Sequence, residues 1–390
     1  MKIPFFDANY LNEHCHCKTL DKQKIEYPQY FSEQPHFVSK AGLDQIRKFI
    51  TAYENALTTP AVASQLLVGR PLPVEKGIFS SYDFHMSAEG PQLIEINTNA
   101  AGAVLGLDAT RDLVNCCNGA PQFMPIRPFR FDAVQMVSMF RQEFSRRFPE
   151  RELKTVAIVD ESPEQQFFYP EFLLTQNLLM RHGIEAIIIP PEKIEIRDAG
   201  VYAGDIRLDF IYNRLTDFEL KAAQNAAISR AYEEGLATVS PNPAVHALYA
   251  RKSNLAAFWS SEFDAVANVD QIRRHIPETV IVSAANRDEL WKQRKQWFFK
   301  PIDGYGGKAV YRGDKLTGRV WAEIAAGSYI AKKYVPARMR QLKADLSLKY
   351  DLRVYNYGDE ILGMMARYYQ GQTTNFRTEN GGLASVMVAA

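Results

Sequence analysis

No apolar run in the 390 residues approaches the ~20 that a membrane-spanning helix needs, so the chain is not expected to cross a bilayer. Charge of one sign is missing too. The chain has 46 Lys+Arg against 45 Asp+Glu, a formal net charge of +1, with pI near 7.7. That balance argues against a nucleic-acid binder and against a disordered acidic tail. Cysteine is scarce: Cys15, Cys17, Cys116 and Cys117 fall as two close pairs, which make no disulfide framework in a chain of this length. His14-Cys15-His16-Cys17 carries soft ligands, but no second ligand pair completes the four that a structural zinc takes. No targeting segment is read in the first residues, and the expected location is the cytoplasm. Internal repeats and low-complexity tracts are also lacking.

What is present is apolar mass, 46% of the residues, enough for a sizeable core and two or three compact units. Leu43, Ile46, Phe49, Ile50, Tyr53 and Leu57 recur at three- and four-residue steps and predict a helix over Ala41–Leu57. Two short strands follow, Gly77–Met86 and Gln92–Asn97, joined by the turn residues Ser87-Ala88-Glu89-Gly90-Pro91. A second helix is predicted over Asp132–Phe148, with Asp132 as N-cap. The charges of Arg151, Glu152 and Lys154 place a boundary near Glu150. Beyond it strands and helices alternate: a strand at Val156–Val159, a helix at Pro170–His182, strands at Glu185–Ile189 and Leu208–Tyr212, and a helix at Leu220–Gly235. That alternation predicts a doubly wound parallel α/β layer with ligands at the carboxyl ends of its strands. After Pro241-Asn242-Pro243 a third section carries strands near Trp297–Lys300, Tyr329–Tyr334, Leu352–Tyr357 and Ile361–Tyr368. The units are therefore expected at 1–150, 151–245 and 246–390.

Three features carry chemistry. Phe299-Lys300-Pro301-Ile302-Asp303-Gly304-Tyr305-Gly306-Gly307-Lys308 is a strand ending in lysine, followed by a turn whose glycines let backbone N–H groups approach a phosphate. It lacks the Gly-Lys-Ser/Thr of a Walker loop and the spacing of a dinucleotide fingerprint. Next, Glu95 and Asn97 lie two residues apart on one strand face, with Asp83 across the hairpin; three oxygen-bearing side chains suit Mg²⁺. Last, Arg353, Arg367 and Arg377 occupy three successive elements near Gly381-Gly382, and converging guanidinium groups would bind carboxylate or phosphate.

Together these motifs resemble the ATP-grasp ligase family. The Lys300 strand and the turn through Gly304, Gly306 and Gly307 resemble its phosphate-covering loop. Asp83, Glu95 and Asn97 resemble its magnesium triad, which in most members follows the arginine and double-glycine segment; here it precedes them, implying circular permutation. Eukaryotic glutathione synthetases share that order, and their Glu-Ile-Asn-Thr stretch is similar to Glu95-Ile96-Asn97-Thr98. The resemblance implies an ATP-grasp fold with an inserted parallel α/β substrate domain. It also implies ATP and two Mg²⁺ ions as cofactors, Lys252 and Lys300 on the phosphates, and Tyr334 and Val335 at the adenine hinge. Arg214, Arg353 and Arg377 are then the catalytic and substrate-binding arginines. The implied activity joins a small-molecule carboxylate to an amine through an acyl phosphate; nucleic acid and membrane are not expected partners, and a homodimer is allowed. Two departures stand out: Asp303-Gly304 replaces the family's metal-binding glutamate, and Lys332-Lys333 replaces an acidic hinge residue. A different carboxylate substrate, or a nucleotide-binding module without ligase activity, are the alternatives.

Overall fold

Ser39 ends the strand His36–Ser39 (β1) and caps the helix Lys40–Leu57 (α1), its hydroxyl accepting from the Gly42 N–H at 3.1 Å. In the computed structural model the described residues are 30–32, 34–107, 109, 126–129, 131–304, 309–374 and 378–389. Helix α1 buries the whole three- and four-spaced set from Leu43 to Leu57, as the periodicity predicts. The hairpin that follows is Ser80–Ser87 (β2) and Gly90–Asn97 (β3), with Asp83 opposite Glu95. Then come Ala133–Arg147 (α2), capped by Asp132 through the N–H groups of Val134 and Gln135, and Thr155–Val159 (β4). Tyr169–Arg181 (α3), Glu185–Ile189 (β5), Phe210–Asn213 (β6), Ala226–Glu233 (α4), Thr238–Ser240 (β7) and Pro243–Tyr249 (α5) follow. Thr279–Ile281 (β8), Trp297–Pro301 (β9), Tyr311–Arg312 (β10) and Tyr329–Lys333 (β11) come next. Leu346–Tyr357 (β12), Glu360–Tyr369 (β13) and Gly382–Ala389 (β14) end the order.

The predicted helix over Leu220–Gly235 starts late, at Ala226. Leu220 takes φ +52°, and the Asp217 carboxylate accepts from the Ala222 N–H and the Asn225 amide, both at 2.8 Å. Those bonds hold the stretch as a turn in place of a first helical turn.

Three sheets position the site. The largest runs β1-β14-β13-β12-β2-β3, with Met339–Lys343 added on β12 and Ile126–Pro128 on β14. Its strands alternate, apart from a bulge in β3 at Ile94 and an irregularity between β12 and β13 at Tyr355/Asn356. Tyr82, Phe84, Leu93, Ile96, Leu348, Tyr350, Leu352, Val354, Met364, Ala366 and Tyr368 face one core with α1. His85, Glu95, Asn97, Asp351, Arg353, Arg367 and Tyr369 line a cavity on the other face, with Asp83 fully buried on that face behind them. Each large apolar side chain in that core is worth roughly 1.5–3 kcal/mol, which lets the polar face be spent on chemistry.

The second sheet is parallel, order β7-β6-β4-β5. The chain leaves β4 toward β5 on one side and returns through β6 and β7 on the other, so a switch point lies between the ends of β4 and β6. The third sheet is antiparallel, order β8-β11-β9-β10. No helix among the described residues is long and apolar enough to cross a membrane.

Candidate active site

A β-bulge joins the first and third sheets. Asp83 pairs with Glu95, and Phe84 pairs with Leu93, so Ile94 has no partner across the hairpin. The carbonyls freed there are taken by lysines of the third sheet. Lys332 Nζ donates to Leu93 O at 2.6 Å and Ile94 O at 3.1 Å, and Lys300 Nζ donates to Ile94 O at 3.3 Å. Burial, followed by the charge of Lys300, holds the Lys332 ammonium well below its ordinary pKa. This accounts for lysine at a position where an acid was expected: the side chain reaches across to the other sheet.

Between the sheets lies a cavity of about 420 Å³. Of the predicted site residues, Glu95, Asn97, Lys252, Lys300, Gly304, Tyr334, Val335 and Arg353 all line it, together with Asp351, Arg367, His85, Thr98, Asn99, Phe218 and His246. Lys300, at the end of β9, is 7% exposed and stands 3.6 Å from Glu95 Oε2. Lys252 Nζ donates to Gly304 O at 2.5 Å. Burial alone would raise the Glu95 carboxyl, but Lys300, then Arg367 and Lys252, hold it below the usual carboxylate range.

Asp83 sits differently from the expectation. Its side chain is fully buried, and both oxygens are occupied: Arg353 donates at 2.8 and 2.7 Å, Arg367 at 2.8 Å and the Asn97 amide at 3.1 Å. Arg367 also pairs with Asp351 at 2.6 and 2.8 Å. Asp351, Arg367, Asp83 and Arg353 thus form an alternating chain of four buried charges. Burial works against the Asp83 carboxylate, but the two guanidinium groups win and bring its pKa to about 2. With two guanidinium groups already on it, this carboxylate has no open lone pair for a cation in this arrangement. By taking the Asn97 N–H it leaves Asn97 Oδ1 as the free end of that amide.

Arg353 is likewise spent on Asp83 and on Ala101 O at 3.4 Å, so it contributes charge more than free donors. Arg214, at the end of β6, is buried beside the parallel sheet's switch point. It bonds Asn99 Oδ1 and Tyr212 Oη, and its Nε has no partner among the described residues. Asp160, at the end of β4, has its pKa raised to about 6 by burial against the pull of Arg214. Asp303 is exposed and pairs with Arg251 at 3.4 Å. Gly306, Gly307 and Arg377 lie outside the described residues, as do the four cysteines and His14 and His16.

Sequence reasoning missed several cavity residues. His85 bridges the hinge: its Nδ1–H donates to Val335 O at 2.8 Å, and Tyr369 Oη meets Nε2 at 3.2 Å. At the hinge itself the Tyr334 N–H goes to Gln296 O. Asp351 was available from strand alternation, two residues before Arg353. His246, stacked on Phe218 with centroids 3.9 Å apart, left no signal in its neighbours. No group of three or more His, Cys, Asp or Glu able to hold a metal is found among the described residues.

This architecture matches solved structures. The chain is similar to a glutathione synthetase-like effector from Globodera pallida in its apo form, TM-score 0.60, at 11% identity over 98% of this chain and 99% of that one. It is also similar to a putative gamma-glutamylcysteine synthetase from Methylobacillus flagellatus, TM-score 0.52, at 11% identity over 90% of this chain and 89% of that one. No family model matches the sequence, and no curated protein matches it. The chain shares the mixed α/β fold of these two structures.

Proposed function

We propose that the chain is an ATP-dependent ligase that joins a small-molecule carboxylate to an amine and releases ADP and phosphate. The observation that carries this reading is the cavity's polarity: Lys252 and Lys300 face Glu95 and Asn97 across a slot between two sheets. In this reading the units at 1–150 and 246–390 form a circularly permuted ATP-grasp part around the layer at 151–245.

The donor set fits magnesium. Mg²⁺ takes one or two protein oxygens and completes its shell with water and phosphate; the Glu95 carboxylate and the free Asn97 Oδ1 supply that pair, with Asp83 orienting the amide. When bound, the ion neutralises phosphate oxygens. Lys300 and Lys252 hold the phosphates, and the Lys252 bond to Gly304 O ties the glycine turn to them. The third sheet covers the reacting oxygens and keeps water from the acyl phosphate. The carboxylate attacks the γ-phosphorus in line, and the chain's part is to position and to neutralise. Arg214 and Arg377 hold the acceptor's own carboxylate, while Arg353 and Arg367, balanced by Asp83 and Asp351, form a rigid charged wall behind the reacting group.

A second reading, a nucleotide-binding module without ligase activity, draws on one observation: Asp303, where the family carries a metal-binding glutamate, is exposed and paired with Arg251. ADP formation across a matrix of carboxylates and amines, with mass detection of products, separates the two. Substrate-stimulated ADP with a product of the combined mass supports the ligase; nucleotide binding without any turnover supports the module.

A further inference from the structure

His246 on α5 belongs to the cavity but to none of the roles above. Its Nδ1 is 3.1 Å from Thr98 Oγ1, one residue beyond Asn97, and its ring lies parallel to Phe218, 5° between the planes. Three elements thus fix one imidazole: the end of β3, the turn after β6 and helix α5. The place matters. Thr98 follows Asn97 and precedes Asn99, which Arg214 bonds at the switch point of the parallel sheet, and Lys252, whose charge acts on the His246 ring, lines the same cavity. A group held between the phosphate end and the acceptor end is next to the atom that changes partners.

Resting on the ligase reading, we propose that His246 is the general base for the second half-reaction, taking the proton of the attacking amine through Nε2 while Nδ1–H donates to Thr98 Oγ1. The atoms balance. The amine nitrogen forms a bond to the acyl carbon, the carbon–oxygen bond to the phosphoryl group breaks, and inorganic phosphate leaves with the bonding pair. The surplus nitrogen proton goes to Nε2 and then to water. The stack on Phe218 and the Thr98 bond fix ring plane and tautomer, which a base needs before it needs anything else. Burial and the charge of Lys252 hold the ring's pKa down, to about 4, so the imidazole is neutral and its lone pair is available at physiological pH.

The test compares two nucleophiles. Both nucleophiles lose one N–H proton on acylation, but glycine is an ammonium at neutral pH and must also give up that proton before it attacks, whereas hydroxylamine is already uncharged and, as an α-effect nucleophile, depends far less on a base. Wild type, His246→Gln and His246→Asn are assayed with ATP, Mg²⁺ and either nucleophile, offering γ-glutamylcysteine and each proteinogenic amino acid as carboxylate. Hydroxamate is read by iron(III) colour, amide by mass, and folding by melting and by binding of a fluorescent ADP analogue. The proposal expects amide formation to fall at least about 100-fold in both variants while hydroxamate formation stays within about threefold. Equal retention of both products overturns it, and so does parallel loss of both, or loss of folding in both variants, which would make His246 a brace for the Phe218 turn. If wild type forms hydroxamate from none of the carboxylates offered, the ligase reading itself fails, and the base role falls with it.

Discussion

Replacing Asp83 by asparagine removes one negative charge from the buried chain of four ions and keeps the side chain's shape. In the native arrangement Asp83 and Asp351 balance Arg353 and Arg367, and every member is less than 7% exposed. Four N–H donors end on the Asp83 oxygens, from Arg353 Nε and Nη2, Arg367 Nη2 and the Asn97 amide. An amide offers them one oxygen and adds two donors of its own, and two guanidinium groups then share one carboxylate in a buried site. Removing one partner of a buried pair costs roughly 3–5 kcal/mol, which at about 2 °C per kcal/mol lowers Tm by roughly 6–10 °C. The pH dependence has a definite sign. The folded pKa, about 2, lies below the ordinary 3.8, so the stability that the charge contributes is present above pH 3.8 and lost as pH falls toward 2. The Tm gap between wild type and Asp83→Asn should therefore be full at pH 7 and shrink below pH 4. Removing Arg353 as well, as Arg353→Gln, restores the balance and should recover part of the loss, with a coupling of about 1–3 kcal/mol. The assay is thermal melting in EDTA, so that no metal contributes. A variant that melts with wild type in EDTA and only demands more Mg²⁺ for turnover would show that Asp83 is a metal ligand after all and refute the keystone role.

Glu54 is buried and accepts from Tyr82, Tyr249 and Asn356; burial raises its pKa from 4.5 to about 7. A raised folded pKa makes its contribution fullest below 4.5 and loses it as pH climbs through 7, by up to about 1.4 kcal/mol per pH unit. Melting between pH 5 and 8 should slope downward in wild type and flatten in Glu54→Gln. Gly102 takes φ +106°, and a Cβ there would stand 2.4 Å from Tyr355 Oη. Gly102→Ala should cost about 2–4 kcal/mol, read by melting, because strain and displacement of the Tyr355 bond to Ala101 O combine. Lys300→Met should weaken MgADP binding roughly 10-fold or more by calorimetric titration.

Much of this was legible because it follows from local rules. The spacing of Leu43 through Leu57 predicts α1 to within a residue, Asp132 caps α2, and the Glu95–Asn97 alternation with Asp83 across the hairpin describes the register that forms. Alternation also sorts the long strands into an apolar and a polar face. What it does not supply is the partner of each polar side chain. Asp83 looks the same in sequence whether it meets a cation or two guanidinium groups, because Arg353 and Arg367 come from strands some 270 residues later. The same limit hid the job of Lys332, whose acceptors exist only because a bulge turns the Leu93 and Ile94 carbonyls outward.

That bulge also decides which lysine charge the cavity sees. With Lys332 spent on two carbonyls and held well below its ordinary pKa, its charge is closed off inside the protein. Burial also lowers the pKa of His85, whose Nδ1–H serves Val335 O. Lys300 and Lys252 line the cavity beside Glu95, Asn97 and Gly304. Phe298, Val310 and Val335 add apolar lining to the same cavity, and the Phe298 ring lies 5.9 Å from Lys300 Nζ. Lys332 is thus used up between the sheets, while Lys300 and Lys252, each on one backbone carbonyl, keep their charge at the cavity beside Glu95.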